Sequence, residues 1–376
     1  MPEPLKMNIV GWRHVTQSFA MVNQWQILSL LKRDDVTLSH VDARLPTDKW
    51  SAEVGAFGRE DTAAISALRP PTKVPDIEYR ISFPFDVTPS TGPAMVFGVT
   101  ENGHFPAGYV RGGVLTDLNG RDNMRFVVPS RWARDRFLDN GVEKASIEVI
   151  PHGVDAGVFR FDPDLRASVR QELGLSGFVF LHVGSLMGTK GTELLFDAFG
   201  AVLERGVKAT LLLKGSDGLY DSKRRLKALL DRMSSSRRSL VLHNLKYVGR
   251  ALDVTWMAGL YNAADGYVSP YLAEGFNIPV LEAMAVGLPV LVTGGGPTDD
   301  FTTDAMRRNI SARLDDSDGK LRFRPFLDSI VELMASLPGD QAFLDSARQS
   351  GPLQVQAGYL WDQIAGQLVG LARRLI

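Results

Sequence analysis

The stretch Ser269-Pro270-Tyr271-Leu272-Ala273-Glu274-Gly275-Phe276-Asn277-Ile278-Pro279-Val280-Leu281-Glu282-Ala283-Met284 decides how this chain reads. A short apolar run ends at Ser269-Pro270, and a glycine-containing turn follows. Pro279 then suits the first turn of a helix that continues through Ala285. Strand, turn and helix in this order place the helix start beyond the carboxyl edge of a sheet. Backbone N–H groups from Phe276, Asn277 and Ile278 would then face outward at the positive end of the helix, a ready place for a phosphate. Glu274 falls before that helix and Glu282 about one turn inside it. Carboxylates repel phosphate, so their expected role is to accept hydrogen bonds from neutral hydroxyls, as on sugar rings. The residues alone leave open an equal alternative, two surface glutamates favoured by the helix dipole.

Outward from this stretch, short strand-like runs alternate with helical ones. Asn8–Val10, Val36–Val41, Ala94–Gly98, Arg125–Val128 and Ile147–Ile150 read as strands, and Ser18–Leu31 as a helix. After a linker at 151–164 and a helix over 165–173 the pattern restarts at Phe178–Val183, Ala209–Lys214, Ser239–Leu242, Gly266–Ser269 and Val290–Thr293. Such alternation predicts parallel sheets joined by crossover helices. The expected fold is α/β, with two doubly wound Rossmann-like domains facing a cleft. Residues 1–160 would form the N-terminal, acceptor-side domain and 161–357 the donor-binding domain. Leu360, Ile364, Leu368, Leu371 and Leu375 mark a final helix, 358–376, expected to cross back onto the first domain. From 46 to 92 prolines interrupt every pattern, and the stretch reads as irregular.

Composition narrows the chemistry. The 376 residues hold no cysteine, which removes thiolate nucleophiles and Cys-ligated metals. The six histidines show no HxxxH or HxH pairing. A formal net charge of −1 argues against a nucleic-acid binder. The opening Met1-Pro2-Glu3-Pro4-Leu5-Lys6 has no signal-peptide core, and no window nears 18 apolar residues, so a cytoplasmic protein is expected, with peripheral membrane contact open. Asp162-Pro163-Asp164 and Asp316-Ser317-Asp318 fit Asp-x-Asp but stand in loop-like sequence, so no metal is expected. A basic stretch, Lys223 to Arg238, reads as a solvated helix face.

The Glu-x7-Glu spacing, with Gly-Phe after the first Glu and Pro-Val-Leu-Glu-Ala-Met-Ala-x-Gly-x-Pro-Val beyond, resembles the retaining glycosyltransferases of family 4. Val127–Ser130, Val149–Asp155, Gly184–Gly191 and Leu260–Asp265 support the resemblance in the expected order. It is good over roughly 125–295 and poor over the first 120 residues. It implies a GT-B fold, a nucleotide-diphosphate sugar as donor co-substrate, no other cofactor, and an acceptor that is a glycan, a lipid-linked sugar or a small molecule. Carried over by position, Glu274 would bind donor-sugar hydroxyls, Phe276 to Ile278 the sugar or phosphate, Glu282 the ribose, and Lys190 the diphosphate.

Two departures from the family pattern matter. Ser185 stands where relatives commonly carry an arginine for the diphosphate, a charge that Arg13 or Arg250 is a candidate to replace. The first loop has Gly11-Trp12-Arg13 in place of Gly-Gly, although Gly11 still permits close backbone approach. In the first domain Glu101 and His104 are candidates to orient the donor or meet the acceptor, while His152 is expected to be structural. Two other readings stay open: a non-catalytic sugar-nucleotide- or glycan-binding subunit of the same fold, and a nucleotide-sugar epimerase.

Overall fold

The computed structural model describes residues 3–45, 47, 56–90 and 92–376. The expectations placed on Met1-Pro2 and on residues 46, 48–55 and 91 lie outside the described residues. The chain divides into two compact units, Met1–Gly153 with Tyr359–Ile376, and Val154–Gly358.

The first unit runs β1 (Leu5–Gly11), α1 (Ser18–Leu31), β2 (Val36–Asp42), α2 (Arg59–Ala67), β3 (Ile77–Ile81), β4 (Phe85–Asp86), β5 (Ala94–Phe97), β6 (Val110–Arg111), β7 (Met124–Val128), α3 (Arg131–Asp139) and β8 (Ile147–Val149). Six of these strands form a parallel sheet in the order β2-β1-β3-β5-β7-β8. Ala94-Met95-Val96-Phe97 is buried at every position, as a strand covered on both faces requires. Below β5 and β7 the core is aromatic, with Phe126 edge-on to Phe137 at 5.0 Å.

The 46–92 stretch is not irregular where it is described: it holds α2, β3 and β4, and β3 lies inside the sheet between β1 and β5. Its prolines fall outside the strand, and Ile77, Tyr79 and Ile81 are fully buried. Arg80 interrupts the apolar pattern of this strand. Its guanidinium is satisfied by Glu78 at 2.6 Å and by the carbonyls of Asp86 and Thr88, which is how a charge fits there.

The second unit runs α4 (Pro163–Leu173), β9 (Phe178–Val183), α5 (Thr192–Glu204), β10 (Ala209–Lys214), α6 (Asp217–Tyr220), α7 (Ser222–Asp231), α8 (Ser235–His243), β11 (Leu245–Val248), α9 (Val254–Ala263), β12 (Gly266–Ser269), α10 (Ile278–Val286), β13 (Val290–Thr293) and β14 (Arg307–Ile310). An antiparallel hairpin, β15 (Ala312–Asp315) with β16 (Arg322–Pro325), and two helices, α11 (Leu327–Ser336) and α12 (Gln341–Gly358), complete it. The last helix, α13 (Trp361–Leu375), packs on α1 in the first unit, buries Ile364, Leu368 and Leu371, and pairs Arg373 with Asp35.

The parallel sheet of the second unit has the order β11-β10-β9-β12-β13-β14. The chain winds outward from β9 in one direction, then returns to start again at β12. The reversal leaves a crevice at the carboxyl ends of β9 and β12, where ligands of such sheets sit. One face of the sheet packs Phe180, Leu211 and Leu213 against Leu195 and Phe199 of α5.

Ser239–Leu242 is not a strand but the second half of α8; the edge strand is the next run, Leu245–Val248. A four-residue apolar run fits either period. Here Ser234 caps the helix at the Arg237 N–H, and Arg237 pairs with both oxygens of Glu204. Most of the basic stretch around it is ion-paired: Arg224 to Asp221, Lys227 and Arg238 to Asp231, Arg232 to Glu193. Such exposed pairs contribute little stability, at most about 1 kcal/mol each. Among the described residues no helix is long and apolar enough to cross a membrane.

Candidate active site

Two loops meet at the crevice of the second unit. The loop after β9 turns tightly through Gly188–Lys190 into α5, and Gly191 sits there with φ of 66°. A Cβ on Gly191 would stand 1.8 Å from the Pro270 carbonyl oxygen, so only glycine lets this loop lie against the one after β12. The Thr189 carbonyl accepts from the N–H of Leu272 at 2.7 Å and of Ala273 at 3.3 Å. Sewn together in this way, the loops place Lys190 Nζ 2.7 Å from Glu274 Oε1. Both side chains are largely withdrawn from water, 19% and 9% exposed.

The quoted turn then opens α10. Asn277 adopts the left-handed conformation, held by its Nδ2 donating to Ser269 Oγ at 3.0 Å, and no side chain caps the helix. Helix α5, which starts two residues after Lys190, also has no side-chain cap. The start of α5, with its first N–H groups uncapped, and that of α10, where Pro279 has no N–H and the Val280 N–H donates to the Asn277 carbonyl at 3.1 Å, thus flank the Lys190–Glu274 pair. Around them Ser185 Oγ, Thr189 Oγ1, Thr192 Oγ1 and His182 Nε2 are buried without a hydrogen-bond partner among the described residues. Buried polar atoms left unmatched in numbers, on one loop, fit a ligand that supplies the missing partners.

Beneath this the sheet carries buried rings on both faces, His182 on the side of Phe180 and Tyr267 on the side of Leu181. His182 donates from Nδ1 to the Val268 carbonyl at 2.8 Å, and burial, helped by the charge of Lys190, lowers its pKa to about 4. Glu282, half-buried one turn into α10, accepts from the Tyr261 hydroxyl at 2.5 Å. Burial pushes its pKa up to about 7 against the pull of that bond. Tyr261 stacks on Tyr267, whose own pKa is held well above normal, first by burial and also by the charges of Glu274 and Glu282. The structure therefore brings Lys190, Ser185, Glu274, Phe276, Asn277, Ile278 and Glu282 to one edge of one sheet.

The first-unit candidates stand apart in sequence and are described by themselves. Gly11 ends β1, but the room beside its Cα is filled: a Cβ would meet Asn23 Nδ2 and the Ile81 carbonyl oxygen, each at 2.8 Å. Its glycine therefore serves close packing of β1 with α1 and β3. Arg13 is held by both oxygens of Asp42 at 2.8 and 2.6 Å and donates to the Ile65 carbonyl. Arg250 lies over the Trp256 ring at 5.3 Å. Both arginines offered for the role Ser185 leaves are thus engaged elsewhere. Glu101 and the exposed His104 share the turn after β5, where the Trp132 indole donates to the Glu101 carbonyl. His152 packs between Phe97 and Trp361. A cavity of about 440 Å³ opens at the ends of β2 and β3, lined in part by Arg44, Thr47, Ser82, Phe83 and Arg111.

Asp162 accepts from the Asp164 and Leu165 N–H groups and caps α4, and Asp318 pairs with Arg322 at 3.0 Å. Both are engaged in their own turns. Sequence reasoning overlooked His182, Tyr261 and Tyr267. Each lies within or beside a motif it quoted, but an apolar strand or helix gives no sign of which ring lies under a site.

Two Rossmann-like units, with polar groups gathered at the switch point of the second, define a GT-B type fold. A glycosyltransferase from Rickettsia africae shares that fold across 100% of this chain and 99% of its own, with a TM-score of 0.72 at 11% identity. Residues 177–316 match the family described as Glycosyl transferases group 1. The mannosylfructose-phosphate synthase of Agrobacterium fabrum is 32% identical over 158 residues, 41% of this chain and 34% of that protein. A GDP-mannose-dependent alpha-(1-6)-phosphatidylinositol monomannoside mannosyltransferase of Mycobacterium tuberculosis is 26% identical over 273 residues, 68% of this chain and 62% of that protein. The chain thus spans less than two thirds of either curated relative.

Proposed function

We propose that the chain is a retaining glycosyltransferase that moves a sugar from a nucleotide-diphosphate sugar to an acceptor hydroxyl. The observation that carries this reading is the Lys190–Glu274 pair set between two helix starts that no side chain caps. As the anomeric C–O bond breaks, negative charge grows on the departing β-phosphate. Lys190 and the open N–H groups of α5 are fixed in advance to stabilise it, so the site favours the transition state over the ground state. Glu274 accepts from hydroxyls of the donor sugar, and Glu282 from the ribose.

The new bond forms between the anomeric carbon and the acceptor oxygen, on the face the nucleotide leaves. The acceptor proton passes to the departing phosphate oxygen, so charge balances without a separate general base. The cationic role falls to Lys190, and the reaction runs without a divalent ion, in line with the engagement of Asp162 and Asp318 in turns of their own.

Incubation with uridine-, guanosine- and adenosine-diphosphate sugars, followed by determination of the product anomer, tests the reading. Retention with undiminished turnover in EDTA is expected. An inverted product would overturn the mechanism, and nucleotide binding without transfer would favour a non-catalytic subunit. A changed sugar without any acceptor would favour an epimerase.

A further inference from the structure

The ladder between β9 and β12 is short. It pairs Phe180 with Gly266 and Leu181 with Tyr267 and stops there, while β9 stays paired with β10 as far as Val183 and Lys214. β9 and β12 thus part at His182 and Val268, and the crevice opens from that point. Two side chains take over where the backbone bonds end. His182 Nδ1 donates to the Val268 carbonyl at 2.8 Å, and on the opposite face the Tyr267 hydroxyl donates to the Val183 carbonyl at 3.4 Å. A buried carbonyl past the end of a ladder needs such a donor.

His182 also backs the lysine of the site. A Cβ on Gly184 would meet His182 Nε2 at 3.3 Å and Lys190 Cγ at 3.5 Å, so ring and lysine stem lie against the same bare glycine. The ring is 1% exposed, and its Nε2 has no hydrogen-bond partner among the described residues. Because Nδ1 carries the proton, Nε2 holds a lone pair on the Gly184 side. Burial, helped by the Lys190 charge, keeps the imidazole neutral, with its pKa lowered to about 4. A charged ring here would repel the ammonium, so the neutral form is the one that fits.

We infer that His182 is a positioning residue for Lys190: it clasps β9 to β12 where their ladder ends and backs the lysine stem, so that the ammonium is held on Glu274 and ready for a donor diphosphate. The diphosphate half rests on the nucleotide-sugar reading; the clasp does not. Two measurements on the full chain separate them. The first is acetylation of Lys190 by acetic anhydride, read by mass spectrometry. His182→Phe keeps a buried ring without the donor and should raise Lys190 labelling about threefold or more, since loss of an opposite charge frees the amine. His182→Asn, whose amide nitrogen stands in for Nδ1, should stay within about twofold of the wild type. Lys214, a second buried lysine of the same unit, serves as control. Equal rises at both lysines mark general loosening and would overturn the inference, as would unchanged labelling of Lys190. His182→Leu replaces the phenylalanine variant if that one does not fold.

The second measurement is calorimetry with UDP, GDP and ADP. His182→Phe should weaken the preferred diphosphate about tenfold, the scale of one charge-assisted contact. In a Lys190→Met/Glu274→Gln background the same change should cost less than about twofold, because no ammonium is left to position. Equal losses in both backgrounds would mean a structural role and sink the inference. If the wild-type chain binds none of the diphosphates, the nucleotide-sugar reading fails, and the labelling alone decides the clasp.

Discussion

Lys190 and Glu274 meet at 2.7 Å although they belong to loops that leave different strands, and both are largely buried. Removing one partner strands the other away from water, which typically costs about 3–5 kcal/mol. Lys190→Ala should therefore lower both stability and turnover, the latter by about 10²–10³ if the ammonium acts on the leaving phosphate. Glu274→Gln should cut turnover with a smaller stability loss. The double variant Lys190→Met/Glu274→Gln should recover stability but no activity. Urea unfolding alongside a transfer assay reads both; a double variant with near wild-type turnover would remove the pair from the chemistry.

The loop seam predicts a sharper effect at a residue with no functional group. Gly191→Ala brings a Cβ to 1.8 Å from the Pro270 oxygen at a φ of 66°. The left-handed conformation alone costs a non-glycine residue about 1–3 kcal/mol. The backbone clash must be relieved by parting the two loops, which separates Lys190 from Glu274. Turnover should fall well beyond what the stability loss explains, and a nearly normal kcat in this variant would count against the seam as the device that sets the site.

Much of this was legible in the residues, and the exceptions have physical causes. The turn after Ser269, the proline at the helix start and the two glutamates eight residues apart carry strong local signals, so β12, α10 and their carboxylates could be read directly. The Lys190–Glu274 contact could not, because it depends on the register of β9 beside β12. β3 was hidden among the prolines of 46–92, and Arg80 within it is a charge whose partners lie up to eight residues further along the chain. The strand reading of Ser239–Leu242 failed because four apolar-leaning residues carry no period, and only the Ser234 cap decides for helix. Gly11 carries a packing role that its place at a strand end does not announce: a Cβ there would meet Asn23 and the Ile81 carbonyl oxygen.

Acid sensitivity should differ between the two units. Burial lowers His40 and His152 to about 3 and His182 to about 4, so each stays neutral in the fold while the unfolded chain takes up its proton below about pH 6.5. Their stability contribution is complete above that pH and is lost as pH falls. Glu282 works in the opposite direction: raised to about 7, it keeps its proton in the fold while the unfolded chain releases one above about pH 4.5. His40 and His152 lie in the first unit, whereas His182 and Glu282 share the second. Between about pH 4.5 and 6.5 the first unit should therefore lose stability as pH falls, with a slope of about two protons from His40 and His152, about 2.7 kcal/mol per pH unit, to which the lowered His14 adds in the same direction. In the second unit the two effects should nearly cancel. Hydrogen exchange resolved by peptide and corrected for intrinsic rates separates the units; equal slopes would refute the assignment.

The raised pKa of Glu282 also bears on binding. Its assigned partners, the Tyr261 hydroxyl and the ribose hydroxyls, are donors, and an ionised carboxylate accepts from them better than a protonated one. Nucleoside affinity should accordingly rise between pH 6 and 8 with a midpoint near 7, by about three- to tenfold in all. A nucleoside is the right probe, because the terminal phosphate of a diphosphate itself titrates close to this range. Glu282→Gln should bind more weakly and without this pH dependence. Tyr261→Phe removes the bond that pulls the carboxyl down, so its midpoint should move above that of the wild type. A wild-type affinity that is flat across pH 6–8 would mean that Glu282 does not face the ribose, and the ribose contact would then have to come from another residue of the second unit.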